Sequence, residues 1–238
     1  SMTQGYCGQP SYPLAISRFL SDHHVDHRMV IDAELANSSL PDLDVLVVPG
    51  APCLSREQIR NLGEFAERGR LVIIGTCGLY DEWGRPWDDP PQQALQRIEA
   101  RAVKLSVPGL PMVGRVGLSE EATNALTPLL EACREAPPLL RVIADSNLEL
   151  AAYRTPGDRL LVHLVNFGVN LQGEITKVRD VSMRLRLPEG YQPTRVQLRA
   201  PGVEPRALKF EAFSDGASSE LFVQVPEVSI YAILVVEG

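Results

Sequence analysis

The chain has 238 residues, of which 45% are hydrophobic and 22% charged, and its formal net charge is -7. This composition excludes a disordered chain, and the length leaves room for two ordinary domains. The acidic balance disfavours nucleic acids and anionic membranes, so we expect neither as a partner. No apolar run is long enough to cross a bilayer and no targeting segment precedes the first helix, which together predict a cytoplasmic protein.

Four cysteines are scattered along the chain without a close pair, at Cys7, Cys53, Cys77 and Cys133. This spacing fits neither a disulfide framework nor a zinc site, so we expect reduced thiols and no metal. No glycine-rich phosphate loop follows a strand, and we expect no cofactor.

The first half alternates helix-like and strand-like segments. The apolar runs over residues 44–49 and 71–75 predict buried strands. A short apolar run predicts a strand over 29–31, and a weaker run predicts another over 103–107. Apolar spacings of three and four predict helices over 13–20, 91–98 and 119–135, the last kinked or restarted at Pro128. Another helix follows Ser55, which forms a capping box with Gln58, and ends at Gly69. This order predicts a three-layer α/β domain over residues 1–138.

The second half loses the helical period. Short strand-like segments separated by turn residues recur over residues 149–154, 159–167, 181–187, 195–199, 207–213, 220–225 and 228–236. Val181, Met183 and Leu185 alternate with polar residues, as in a strand with one face in water. About seven such strands predict a β-sandwich domain over residues 139–238.

Cys77 is a weak candidate for a catalytic nucleophile, and we identify no other catalytic residue. It follows a buried strand and stands between Gly75 and Gly78, small neighbours that a strained nucleophile turn requires. Leu79 stands where a full nucleophile elbow has its second glycine, and the following residues resemble a loop. The alternative is a buried structural thiol.

A cysteine nucleophile needs a histidine base, and the chain has four histidines. His23, His24 and His27 follow the first helix, where a surface position or compensation of the helix C-terminal charge is favoured over catalysis or metal binding. His163 lies in a predicted strand without an acidic neighbour in sequence, which favours a half-buried sheet residue.

The segment after Cys77 is the best candidate for a contact surface. Its candidate binding or interface residues are Tyr80, Asp81, Glu82, Trp83, Arg85 and Trp87. Aromatic rings beside carboxylates are typical of sugar-binding clefts, but also of a solvated loop that tryptophans fix to a domain or a partner. Asp81 and Glu82 with Asp88 and Asp89 make a poor glycosidase acid/base pair, because nothing predicts a rigid scaffold that would separate them correctly.

Two parts of the chain carry a family resemblance: DVLVVPGAPCLSREQIRNLGEFAERG, followed by RLVIIGTCGLYDEWGRP. They resemble the domain that follows the catalytic barrel in glycoside hydrolase family 42 β-galactosidases. That trimerisation domain has a flavodoxin-like, class I glutamine-amidotransferase-like fold. The later segments LLVHLVNF, DVSMRLRLPEG and IYAILVVE resemble the small C-terminal β-domain of such enzymes.

The resemblance implies an accessory region without catalytic residues, because the catalytic glutamates of that family lie on the barrel. It also implies that Cys77 falls near the nucleophile position of an amidotransferase triad that the family has lost. The expected partners are further copies of this chain or a missing catalytic barrel, with carbohydrate as a candidate ligand. The chain is then either the C-terminal region of a longer enzyme or a stand-alone remnant.

Three hypotheses follow. The first is a non-catalytic region of a glycosidase that serves oligomerisation and shapes a carbohydrate active site through the loop at residues 80–87. The second is a free-standing carbohydrate-binding or scaffolding module, and the third is an amidotransferase-like hydrolase that uses Cys77. The absence of a recognisable triad and the domain resemblance favour the first.

Overall fold

A computed structural model describes residues 12–37, 40, 43–107, 118–135, 139–145, 147–155, 157, 159–170, 172–214 and 219–238. Cys7 and the predicted boundary at residue 138 lie outside these residues, as do Asp215 and Gly216 in the turn expected between the segments 207–213 and 220–225. Contacts divide the chain into two compact units. Unit 1 is Ser1–Phe19 with Arg28–Pro137, and unit 2 is Leu20–His27 with Pro138–Gly238.

Unit 1 contains a three-stranded parallel sheet in the order β1-β2-β3. Its strands are β1 (Val45–Cys53), β2 (Arg70–Tyr80) and β3 (Val103–Leu105). The helices are α1 (Tyr12–Asp22), α2 (Asp32–Ala36), α3 (Arg56–Arg68), α4 (Asp89–Arg101) and α5 (Glu120–Glu135), and the last turn of α1 groups with unit 2. Among the described residues, none of these helices combines the length and the apolar character that a membrane crossing requires.

The capping box predicted at the start of α3 is confirmed. Ser55 Oγ accepts a hydrogen bond from the Gln58 backbone N–H at 3.2 Å, and Gln58 Oε1 accepts one from the Ser55 N–H at 2.8 Å. Two backbone donors that the helix would leave unpaired are therefore satisfied. Beyond the cap, Leu62 and Phe65 are fully buried in the core beside β1 and β2.

Gly69 ends α3 as predicted, but without the left-handed backbone with which glycine commonly ends a helix. Its backbone is extended (φ -134°) instead of left-handed. A Cβ atom there would lie 2.6 Å from Cζ of Phe65, so glycine is required because the backbone closely approaches that ring.

Other predicted elements of unit 1 need correction. Residues 29–31 form no strand, since Met29 and Ile31 are exposed, and the short helix α2 follows them. β1 and β2 continue past the predicted ends at residues 49 and 75, although their pairing register shifts after Pro49. α5 is continuous through Pro128, and no second helix begins there.

Unit 2 contains two antiparallel sheets, in the orders β10-β11-β7-β4 and β5-β6-β12-β8-β9. The strands are β4 (Leu140–Ile143), β5 (Leu148–Thr155), β6 (Arg159–Asn166), β7 (Val178–Leu187), β8 (Arg195–Ala200), β9 (Val203–Ala207), β10 (Phe210–Ser214), β11 (Ser219–Val228) and β12 (Tyr231–Glu237). One hydrophobic cluster contains buried side chains from both sheets, among them Leu164, Met183 and Leu234. The parallel sheet of unit 1 and the antiparallel sheets of unit 2 agree with the predicted change of class along the chain.

Only some of the strands of unit 2 are predicted correctly from the sequence. The predicted alternation in β7 is confirmed, since Val181, Met183 and Leu185 are buried. The segment predicted as one strand over 207–213 instead contains the end of β9 and most of β10, and β4 was not predicted. β9 and β10 expose nearly every residue, so they have no apolar alternation to recognise.

A buried asparagine connects three segments of unit 2. Asn166 is 3% exposed, and its Nδ2 donates to the carbonyl oxygens of Thr176 (2.8 Å) and Ser229, while its Oδ1 accepts from the Gly168 N–H (2.8 Å). These bonds satisfy the polar atoms of the buried Asn166 side chain, and they fix the loops that follow β6 and β11.

Candidate functional site

The candidate contact loop leaves the end of β2 and turns back immediately. The N–H of Asp81 donates to the carbonyl of Arg85 at 2.8 Å, and Tyr80 and Pro86 form an isolated antiparallel bridge. Asp81 Oδ1 accepts from the N–H groups of Trp83 at 2.9 Å and of Arg85 at 2.8 Å. One carboxylate thus holds the tip of the loop in place.

The two tryptophans of the loop have different environments. Trp83 is 73% exposed, and Leu79 and Tyr80, which precede it in sequence, are also exposed. Trp87 is half-buried against the core of unit 1, and the Arg56 guanidinium carbon lies 5.9 Å from the centroid of its ring. Trp87 therefore anchors the loop, while Trp83 presents a large aromatic surface to solvent.

The carboxylates of this segment form hydrogen bonds and ion pairs that do not suggest a catalytic acid/base pair. Asp81 accepts the loop hydrogen bonds, and Asp88 forms an ion pair with Arg56 at 3.3 Å. Glu82 is exposed at the tip, as is Arg85. The side chain of Asp89 lies outside the described residues.

Two glycines with left-handed backbone lie on either side of Cys77. Gly75 has φ +76°, and a Cβ atom added there would meet open space. Gly78 has φ +61°, and a Cβ atom added there would meet neighbouring side chains. A Cβ at Gly78 would lie 2.6 Å from a methyl carbon of Leu95 and 3.3 Å from one of Leu54. The chain at this point can hold its irregular course only with residues that tolerate positive φ.

Cys77 lies within β2, where it pairs with Ala51, and not at a strand-to-helix turn. Its side chain is 5% exposed and belongs to the hydrophobic core. Burial raises the pKa of the thiol to about 12, and the negative charge of Glu99 adds to this effect. A thiol with that pKa is protonated at neutral pH, which disfavours a nucleophile and agrees with the structural interpretation.

His163 is half-buried in β6, in unit 2, whereas Cys77 is in unit 1. Its Nδ1 lies 2.7 Å from the hydroxyl of Tyr231, and its ring packs edge-on against Tyr153 at 5.2 Å between centroids. These are the contacts of a sheet residue, as the sequence predicts.

The three N-terminal histidines do not share one environment. His23 is exposed, whereas His24 and His27 are half-buried and line a cavity of unit 2 that sequence reasoning missed. The histidine cluster was the only local sequence feature that could have indicated this cavity. The cavity also needs Glu149, which is far from the histidines in sequence. Among the described residues, no group of three metal-ligating side chains is placed to hold an ion.

Comparisons with known proteins find likeness in structure and not in sequence. No family model matches the chain, and no curated protein matches its sequence. The α-L-fucosidase isoenzyme 2 from Paenibacillus thiaminolyticus has a TM-score of 0.65 at 12% identity, over 95% of this chain and 45% of that chain. A catalytic mutant of Gan42B, a GH42 β-galactosidase from G. stearothermophilus, has a TM-score of 0.54 at 13% identity, over 98% of this chain and 36% of that chain.

This fold occurs within glycoside hydrolases. A second Gan42B structure gives a TM-score of 0.51 at 14% identity, over 95% of this chain and 36% of that chain. The chain thus spans less than half the length of the glycoside hydrolases it resembles. At these identities the likeness concerns the fold alone.

Proposed function

We propose that this chain is a non-catalytic accessory region of a β-galactosidase-like glycoside hydrolase. It would serve oligomerisation and shape a carbohydrate active site through the loop from Tyr80 to Trp87. The observation that carries the proposal is Trp83, which is 73% exposed on a loop whose backbone is fixed by Asp81.

The fold likeness supports this proposal. Nearly the whole chain superposes on less than half of two kinds of glycoside hydrolase. We therefore propose a catalytic barrel as a partner, on the same polypeptide or a separate one. We also propose the cytoplasmic setting that the sequence predicts. Our proposal includes a three-layer amidotransferase-like domain over residues 1–138 and a β-sandwich over 139–238.

The energetics favour Trp83 as an interface residue. An indole side chain buries roughly 150–250 Å² when it is fully covered. At about 25 cal/mol per Å², complete burial stabilises an interface by roughly 4 to 6 kcal/mol. Trp83 is 73% exposed, so about three quarters of this surface is available for contact. Because the loop is already ordered, little conformational entropy would be lost on contact. Tryptophan is also among the residues most enriched at interface hot spots.

The Cys77 hydrolase is the weaker alternative. The thiol lies in the core of unit 1, and its raised pKa leaves almost no thiolate at neutral pH. Hydrolysis of an aryl glycoside or an amide by the purified chain, lost in Cys77→Ser, would favour this alternative over the proposal.

Single-tryptophan variants test the role of the loop. Trp87→Phe leaves Trp83 as the only tryptophan and sacrifices no hydrogen bond in the described structure, because Trp87 Nε1 has no partner there. If Trp83 is at the interface, acrylamide quenching of its fluorescence should fall as the protein concentration rises and the chains assemble.

The matched control is Trp83→Phe, in which the half-buried Trp87 reports alone and quenching should not depend on concentration. If Trp83 stays fully quenchable in an assembled state, the loop is not at the interface, and this part of the proposal fails.

A further inference from the structure

The four-stranded sheet of unit 2 carries a group of arginines on its outward side. In β4 and β7, side chains buried in the core alternate with side chains that point away from it. The outward side chains include Arg141 on β4 and Arg184 and Arg186 on β7, which we call the arginine cluster. Arg141 and Arg184 are exposed and Arg186 is half-buried, so all three are open to solvent.

Two arginines of the cluster are direct neighbours across the strands. The register of β4 and β7 places Arg141 opposite Arg184. Directly opposed residues have Cβ atoms about 5 Å apart, and like charges at such positions destabilise a sheet. Arg186 follows two residues later on the same side of β7. The fold therefore holds positive charges together in a repulsion that a bound anion would relieve.

The acidic side chains beside the cluster neutralise it only in part. Glu220 on β11 is opposite Arg186, and its Oε2 lies 3.7 Å from Nη1 of Arg184. Glu211 is on the edge strand β10, two strands away from β7. Within the described part of the chain, Arg141 and Arg186 form no ion pair. Two guanidinium groups thus remain uncompensated, although the whole chain has a net charge of -7.

Apolar and polar side chains share this outward face with the cluster. Ile143, also on β4, is 79% exposed, and the ring centroid of Phe222 lies 5.9 Å from the guanidinium carbon of Arg184. Ser182 is opposite Ile143, and Gln224 is opposite Ser182. The face therefore offers guanidinium groups to anions, apolar surface to C–H groups and polar side chains to hydroxyls.

The shape of the face favours a polymer over a small molecule. Small ligands are usually held in concave sites, whereas this surface is the open side of a sheet. Neighbouring strands lie about 4.8 Å apart, so an extended chain with repeated anionic groups can contact several arginines at once. Among anionic polymers, an acidic glycan also carries the hydroxyl and C–H groups that the neighbouring side chains can contact.

We propose that this face binds an acidic polysaccharide, with Arg141, Arg184 and Arg186 contacting its carboxylate or sulfate groups and Ile143 contacting its C–H surface. The inference rests on the carbohydrate setting proposed above and names the class of glycan. It requires neither the loop at residues 80–87 nor assembly of the chain.

Isothermal titration calorimetry with polygalacturonate and with dextran sulfate tests the proposal and distinguishes carboxylate from sulfate groups. We expect at least one of them to bind, more weakly as the salt concentration rises, because exposed charges are screened. Uncharged dextran should not bind. Arg141→Gln should weaken binding roughly fivefold, which is near the upper limit for an exposed ion pair. Its midpoint of urea unfolding should not fall below that of the parent, because the repulsion with Arg184 is removed.

The matched control is Arg195→Gln, which removes the same charge from the other sheet of unit 2 and should bind as the parent does. Absence of binding for both acidic polymers, or equal losses of affinity in Arg141→Gln and Arg195→Gln, would overturn the proposal. Equally tight binding of poly-L-glutamate or double-stranded DNA would also overturn it, because the face would then select charge alone. A monomeric chain that binds an acidic glycan here would refute the assembly role and leave this site standing, and an assembled chain that binds none would do the reverse.

Discussion

Alanine substitutions at Gly75 and Gly78 test whether side-chain packing, in addition to backbone conformation, requires glycine near the end of β2. Both have left-handed backbone, so alanine at either position costs about 1–2 kcal/mol in strain. Only Gly78 has neighbours, at 2.6 and 2.9 Å from the two methyl carbons of Leu95 and 3.3 Å from one of Leu54. Leu95 is 6% exposed, so it cannot move away freely, and overpacking adds about 1–3 kcal/mol.

We therefore expect the folded state to be destabilised by about 1–2 kcal/mol in Gly75→Ala and by about 2–5 kcal/mol in Gly78→Ala, before the effect of alanine on the unfolded chain. Alanine also restricts the unfolded chain, which offsets about 0.4–1 kcal/mol in both variants and cancels in the comparison. Urea unfolding followed by tryptophan fluorescence measures unit 1, since both tryptophans lie there. Equal losses in the two variants, or a larger loss for Gly75→Ala, would refute the packing argument.

Three further predictions concern stability. Asn166→Ala should cost about 3 kcal/mol in urea unfolding monitored by circular dichroism, because several backbone groups lose their partner in the buried Asn166 side chain; a loss below about 1 kcal/mol would contradict this. Asp81→Ala should cost about 1–2 kcal/mol and increase proteolysis at the loop, and an unchanged cleavage rate would show that Asp81 does not order it. Cys77 has a pKa of about 12 in the folded chain against about 9 when unfolded, so its contribution to stability is complete below pH 9 and is lost as pH rises toward 12. The stability advantage of the parent over Cys77→Ala should shrink by about 1.4 kcal/mol between pH 8 and pH 10, and a constant difference would contradict the buried thiol.

Local chemistry explains which parts of the fold could be predicted from the sequence. The Ser55–Gln58 cap and the alternation in β7 involve residues a few positions apart, so their pattern is visible in the chain itself. The strand predicted over residues 29–31 was wrong because an apolar run indicates a strand only when its side chains are buried, and Met29 and Ile31 are exposed.

The candidate sites depend on contacts that no local pattern contains. The loop could be predicted from its composition, but the anchoring of Trp87 and the exposure of Trp83 required the fold. The Ser21–Glu149 hydrogen bond joins residues 128 positions apart, so the cavity of unit 2 could not be predicted.

The most direct test of the accessory role is the mass of this chain in solution, measured by multi-angle light scattering over a hundredfold range of concentration. We expect a dimer or trimer at the upper concentrations. Trp83→Ala should raise the dissociation constant at least tenfold, whereas Met29→Ala, whose side chain is also exposed in the parent, should leave it unchanged. A monomer at every concentration would contradict self-assembly through this region.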